Sequence, residues 1–310
     1  EGWANGLLAF VEFLDRNFDT AEQLARVVTA EANQRGDEWA AGMMDTLMAD
    51  LRLWQGQLEE ALGHAEKARA RFKRLNDRFG LVQALAPLVR TQVALGKNAA
   101  AQRSAEELLT IAETGRQGVF PLLAAAGAAM HRGLGVVATA MAERAISELA
   151  ATGGRAWEPH VVLAIGLAQQ GDVDGALAAL DRVPSDGAGH PFHHAGSALV
   201  HAVSGGPSAA IEHAQTTTAT EGATYLDQVF AYVAAAGASA QLGQHQQAEL
   251  AAQAAVAQAV AVGDVVATAL ATRVYAAVTG KQHAAHDEHT QLGEGWATVV
   301  QLLAPEVLTS

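Results

Sequence analysis

The chain has 310 residues, half of them apolar but only 5% aromatic, with no cysteine and a formal net charge of -13. The missing thiols exclude a disulfide frame and thiolate chemistry, and the acidic balance argues against a nucleic-acid backbone as partner. Much of the apolar share is alanine, which suits thin helix–helix seams rather than one thick core.

A single unit recurs along the chain. A glycine followed five residues later by an alanine occurs at Gly56/Ala61, Gly96/Ala101, Gly135/Ala140, Gly171/Ala176, Gly205/Ala210, Gly243/Ala248 and Gly280/Ala285, with Arg16/Ala21 in phase but lacking the glycine. Seven residues before each turn a small residue recurs, at Ala9, Ala49, Ala128, Ala164, Ala198 and Ala236, with Val89 and Arg273 as exceptions. The pattern predicts two helices per unit, crossing at a pair of small residues and joined by a glycine turn.

In chain order, the first unit pairs a helix around Leu7–Leu14 with one from Asp19 to about Gln34, Asp19 and Thr20 being plausible N-caps. The second pairs Glu38–Trp54 with Leu58–Leu75, whose basic run of Lys67, Arg69, Arg71, Lys73 and Arg74 reads as a solvated outer face. In the third, Pro87 falls inside a helical pattern and is expected to kink or divide it, and the second helix covers Ala99–Ala112. The fourth begins near Val119 with Pro121 in its first turn, a tolerated place. The loop 151–155 marks a possible bend, and Ser185–Gly189 separates the short fifth and sixth units. The seventh and eighth are alanine-rich, and Trp296–Leu303 is the expected capping helix over the last exposed seam.

At these residues the units resemble the tetratricopeptide repeat family, a helix–turn–helix of about 34 residues; the best match runs from Gly171 through Ala176 and Leu180 to Val183-Pro184. The resemblance covers nearly all of the chain, with longer units in the first half and few of the usual large aromatics. It implies an all-α, right-handed superhelix of about eight helix pairs, forming one domain over residues 1–310. The start Glu1-Gly2-Trp3-Ala4, without an initiator methionine or a signal peptide, implies a fragment of a larger protein. No run is apolar enough to span a membrane, and a cytoplasmic location is expected.

Motifs for chemistry are absent. Gly96-Lys97-Asn98 and Gly280-Lys281-Gln282 lack the glycine loop of a phosphate cradle, and neither a nucleophile elbow nor a zinc-protease helix motif occurs. His283, His286 and His289 stand at i, i+3, i+6, so a helix there would bring two of them together on one face for a divalent metal. His289, however, takes a place that is Ala in five other units and belongs in the seam. His194 and His160 hold equivalent places in adjacent units, as a stacked pair or as ordinary seam residues.

What remains is surface. In the family the first helix of each unit lines the concave face. The residues projected there, two, three, six, ten and thirteen places before each turn, include Trp3, Phe10, Phe13, Met43, Asp50, Trp54, Arg90, Arg132, Glu158, Gln169, Phe192 and Phe230. An apolar wall with a charged zone at Asp50, Arg90, Arg132 and Glu158 suits a ligand or a peptide. Either these aromatics face the groove or they pack against the next unit; a one-residue error of phase exchanges the two.

The ensuing expectation is a non-catalytic binding module without a cofactor or a resident metal, taking a protein, peptide or small-molecule effector in its groove. The long units and alanine-leucine-glycine style look similar to the helical-repeat sensor domains of large bacterial regulators of the MalT-like, LuxR-type class. In that class a nucleotide-binding switch precedes the array and a DNA-binding segment often follows. A scaffold for a partner helix is the second expectation, and a histidine-rich metal-dependent enzyme the third.

Overall fold

The computed structural model describes residues 2–115, 118–287 and 290–304. Among these it is all-helical, with sixteen helices and no strand, and none of the helices is long and apolar enough to cross a membrane. The chain divides into two compact units, one of residues 1–93 with 97–124, the other of residues 94–96 with 125–310. The loop 151–155 lies inside the second.

The first unit holds α1 (Gly2–Leu14), α2 (Phe18–Arg35), α3 (Glu38–Trp54), α4 (Leu58–Leu75), α5 (Arg78–Ala94, all but its last residue) and α6 (Asn98–Gly115). The boundary falls inside α7 (Phe120–His131). The second unit continues with α8 (Gly135–Ala151), α9 (Glu158–Ala168), α10 (Val173–Leu180), α11 (Pro191–Val203) and α12 (Pro207–Ala219). It ends with α13 (Tyr225–Gln241), α14 (His245–Val262), α15 (Val265–Thr279) and α16 (Glu294–Leu303).

Outside the fourth and eighth units the hairpins form where the glycine pattern places them. Gly56 and its counterparts Gly96, Gly171, Gly205, Gly243 and Gly280 all have positive φ, a conformation that carries no Cβ penalty only for glycine. Arg16 takes the same left-handed turn at φ 64 without being glycine. In the fourth unit the turn is made by Gly133, at φ 76, two residues ahead of the expected Gly135, which instead opens α8. The projected phase of Arg132 moves with it.

The crossing residues are sealed. Ala9, Ala21, Ala49, Ala61, Val89, Ala101, Ala164, Ala176, Ala198, Ala210, Ala236 and Ala248 are all 0–1% exposed. With no side chain beyond Cβ, an alanine pair brings two helix backbones close. In the shifted fourth unit Ala138 takes this place in the second helix and is fully buried.

Three sequence expectations change. α5 is not divided at Pro87 but runs through it as one helix, since Leu85, Leu88 and Val89 are buried on it and their packing offsets the roughly 3 kcal/mol that an interior proline costs. The N-cap position of α2 is Asn17, ahead of Asp19. The eighth unit is a lone first helix: residues 281–287 and 290–293 are non-helical, so among the described residues no second helix follows α15 to complete its unit. Its seam position is held by the exposed Arg273, and the stretch after Gly280 lacks the alanine stripe that drives the other second helices together.

Candidate functional site

The first-helix face of the second unit carries a guest, and the guest is the chain's own α16. This helix packs against α9, α11, α13 and α15, the first helices of four successive units. Instead of only capping the last seam, it lies along the wall.

The sequence of α16 explains the docking. Trp296, Val299, Val300 and Leu303 stand at i, i+3, i+4 and i+7, one helical stripe, and all four are buried, Trp296 completely. The Trp296 ring packs 5.2 Å from that of Phe230 on α13, and its Nε1–H donates to the backbone carbonyl of His131 at 2.7 Å. Burial of such a side chain is worth about 3 kcal/mol, and the indole N–H, which would be orphaned in an apolar seat, has its acceptor.

Backbone approaches hold both ends. The Gly295 N–H donates to the Gly133 carbonyl at 2.9 Å. A Cβ on Gly293 would stand 2.0 Å from the Arg132 carbonyl oxygen, and one on Gly295 would meet the Gly133 oxygen at 2.7 Å. At the far end Gly237 of α13 leaves room for Leu303, whose side chain would lie 2.6 Å from a Cβ there. The Gln241 side-chain amide donates to the carbonyl of Ala202.

A buried polar network stands behind the tryptophan. Asp264 caps α15 by accepting from the Ala267 N–H at 2.9 Å, and its other oxygen accepts from the Tyr225 hydroxyl at 2.9 Å. His131 Nε2 lies 3.0 Å from the same oxygen, off hydrogen-bond alignment. Asp264 is fully buried and His131 nearly so.

The projected wall residues divide accordingly. Gln169 and Phe230 are at the wall and are covered by α16, at 2% and 1% exposure; the Gln169 amide also donates to the Met130 carbonyl at 2.8 Å. Phe192 lies beside Trp157, 6.4 Å between ring centres. Arg132 and Glu158 are half-buried in the same unit.

In the first unit, the Phe13 ring lies tilted 4.4 Å from that of Trp54 and both approach Phe18 at 6.0 Å. Phe10 and Met43 border this cluster. Because Phe18 opens α2, these rings fill the α1–α2–α3 seam, the packing alternative left open by the sequence. The side chain of Trp3 lies outside the described residues. Asp50 on α3 and Arg90 on α5 are half-buried. The Asp50 residue keeps some solvent access, yet protein crowds its carboxyl enough that desolvation pushes its pKa up to about 7, against the attraction of Arg90.

Four of the five members of the basic run on α4 are ion-paired, while Lys67 is exposed as expected. Arg71 and Arg74 reach Glu38 at 2.8 and 2.9 Å, Lys73 reaches Glu107 at 2.7 Å, and Arg69 also bonds to Glu107.

The histidines regroup. His283 and His286 are outside any helix, so the i, i+3 geometry for a metal is lost; His289 lies outside the described residues. No cluster of three or more metal-ligating side chains suited to an ion occurs among the described residues. His194 pairs with His213 on α12, Nδ1 to Nδ1 at 3.0 Å, instead of with His160. His201 stacks on His213 with ring centres 5.5 Å apart. Burial first, then His194, His201 and His193, push His213 down to about 4.

Compared with protein-family models and with curated proteins, the chain matches none.

Proposed function

We propose that this chain is a non-catalytic binding module of tetratricopeptide type whose first-helix wall takes an amphipathic helix, and that α16 is its resident guest. A partner helix with the same stripe would displace it. The observation that carries the reading is Trp296, wholly buried against Phe230 and bonded to the His131 carbonyl. It supports a wall that accepts one indole, an apolar i, i+3, i+4, i+7 stripe, and glycines at close approaches. A helix-in-groove guest is recognised by such anchors.

The repeat pattern and style of the sequence favour a sensor or regulatory segment of a larger bacterial regulator, located in the cytoplasm. In that role a guest exchange at the wall would report the presence of a partner. The seat of α16 favours a helix or peptide over a small molecule as the effector on this wall.

The experiment uses a labelled peptide of residues 290–304. Fluorescence anisotropy should show saturable binding to the Trp296→Ala chain, little to the unaltered chain, and loss of binding when Phe230→Ala is added. Absence of binding to Trp296→Ala, with helicity intact by circular dichroism, would reject the proposal.

A further inference from the structure

A second concavity lies in the second unit, bounded by α15, residues 280–282, 286 and 291–292, and α16. It has a volume of about 760 Å³, inside the roughly 300–1,000 Å³ range of small-molecule sites. Its charged lining is of one sign. Arg273 of α15, Lys281 and His286 line it, and no acidic side chain does among the described residues. In a chain with a net charge of -13, a site whose described charged lining is all basic is a local reversal. Ala277 of α15 and Ala297 and Val300 of α16 supply apolar lining.

We propose that this pocket binds a small organic anion, its phosphate or carboxylate head facing Arg273, Lys281 and His286 and its apolar body resting on Ala277, Ala297 and Val300. The guanidinium offers paired N–H donors suited to either head group, and the ammonium adds a point charge. Among the described residues Lys281 has one long ion pair, with the half-buried Glu249 at 3.7 Å, a pair that an incoming anion replaces at small expense. A ligand seated here touches α15 and α16 at once. The site does not depend on the exchange of α16 for a partner helix, so it is tested with α16 in place.

The test is isothermal titration of the full chain with 1-naphthyl phosphate, 1-naphthoate and 1-naphthol. At least one of the two anions should bind saturably at one per chain, about tenfold or more tighter than the naphthol. The stronger of the two identifies the head group. The Arg273→Gln/Lys281→Gln chain, with its helicity checked by circular dichroism, should lose about tenfold or more in affinity for that anion. Rising salt should weaken binding, as screening requires. Naphthol binding as tightly as the anions, affinity unchanged in the double variant, or no saturable binding of either anion would overturn the proposal.

Discussion

Trp296 and Phe230 are 66 positions apart in the chain, yet their rings lie 5.2 Å from one another and each is at most 1% exposed. One belongs to the last helix and the other to the wall it covers. This contact ties the fold of the second unit to its proposed use, because whatever removes the indole also uncovers the wall.

Glycine close contacts should be as important as the indole. Gly293→Ala places a Cβ against the Arg132 carbonyl oxygen, which neither backbone can avoid without shifting. We expect a loss of about 1–3 kcal/mol in urea unfolding and faster hydrogen exchange confined to α16. Exchange unchanged along α16 would show that the helix is not held at this point.

Asp264 joins a cap to a buried hydroxyl. Asp264→Ala uncaps α15 and removes the hydrogen bond from the Tyr225 hydroxyl, so the chain should lose about 2–4 kcal/mol. Asp264→Asn keeps an acceptor for the cap and should lose less. Urea titration of the two variants distinguishes them, and equal losses would contradict the assigned cap.

How much of this was legible in the sequence differs between backbone and wall. Glu38–Trp54 and Leu58–Leu75 are placed to the residue, since alanine spacing and glycine turns act locally. Gly133 was missed because Gly135 satisfies the same glycine-alanine spacing, and only positive φ separates the two. The place of α16 was not readable either. Its stripe announces an amphipathic helix, but a stripe does not say which surface it covers. The choice depends on Gly133, Gly237 and Gly295, distant in the chain and alike in allowing close approach. Likewise Gln169 and Phe230 read as wall residues, whereas Phe13 and Trp54 went into a seam, because Phe18 stands at the start of α2 to receive them.

Asp50 should make the first unit less stable as pH rises. Its folded pKa of about 7 lies above its ordinary 3.8. The native state therefore holds the proton more tightly, and stability falls from about pH 4 through pH 7. Asp50→Asn should raise Tm at pH 8 by about 3 °C or more and change it little at pH 4. Equal shifts at both pH values would mean that the carboxyl does not titrate in this way.

The α11–α12 histidines act in the opposite sense. His213 is held down to about 4 against an ordinary 6.5, so the unfolded chain takes up the proton first. Stability should be full above pH 6.5 and decline as pH falls toward 4. Buried surroundings oppose the charge, with His193, His194 and His201 adding to the effect, while Glu212 opposes it at His213 and Asp181 opposes it at His201. His213→Gln should flatten Tm between pH 7 and pH 5; an unchanged slope would place the acid sensitivity elsewhere.

Because the chain has no cysteine, a crosslink reports directly on the seat of α16. A Cβ at Gly237 would lie 2.9 Å from that of Leu303, near the separation a disulfide spans after a small shift. In the Gly237→Cys/Leu303→Cys chain, mild oxidation should form the bond within the monomer. The oxidised chain should then refuse a labelled 290–304 peptide carrying Leu303→Ala, which fits beside residue 237, and the reduced chain should bind it measurably more. Failure of the bond to form with both thiols reactive, or equal peptide binding by the oxidised and reduced chains, would contradict a wall filled by a displaceable α16.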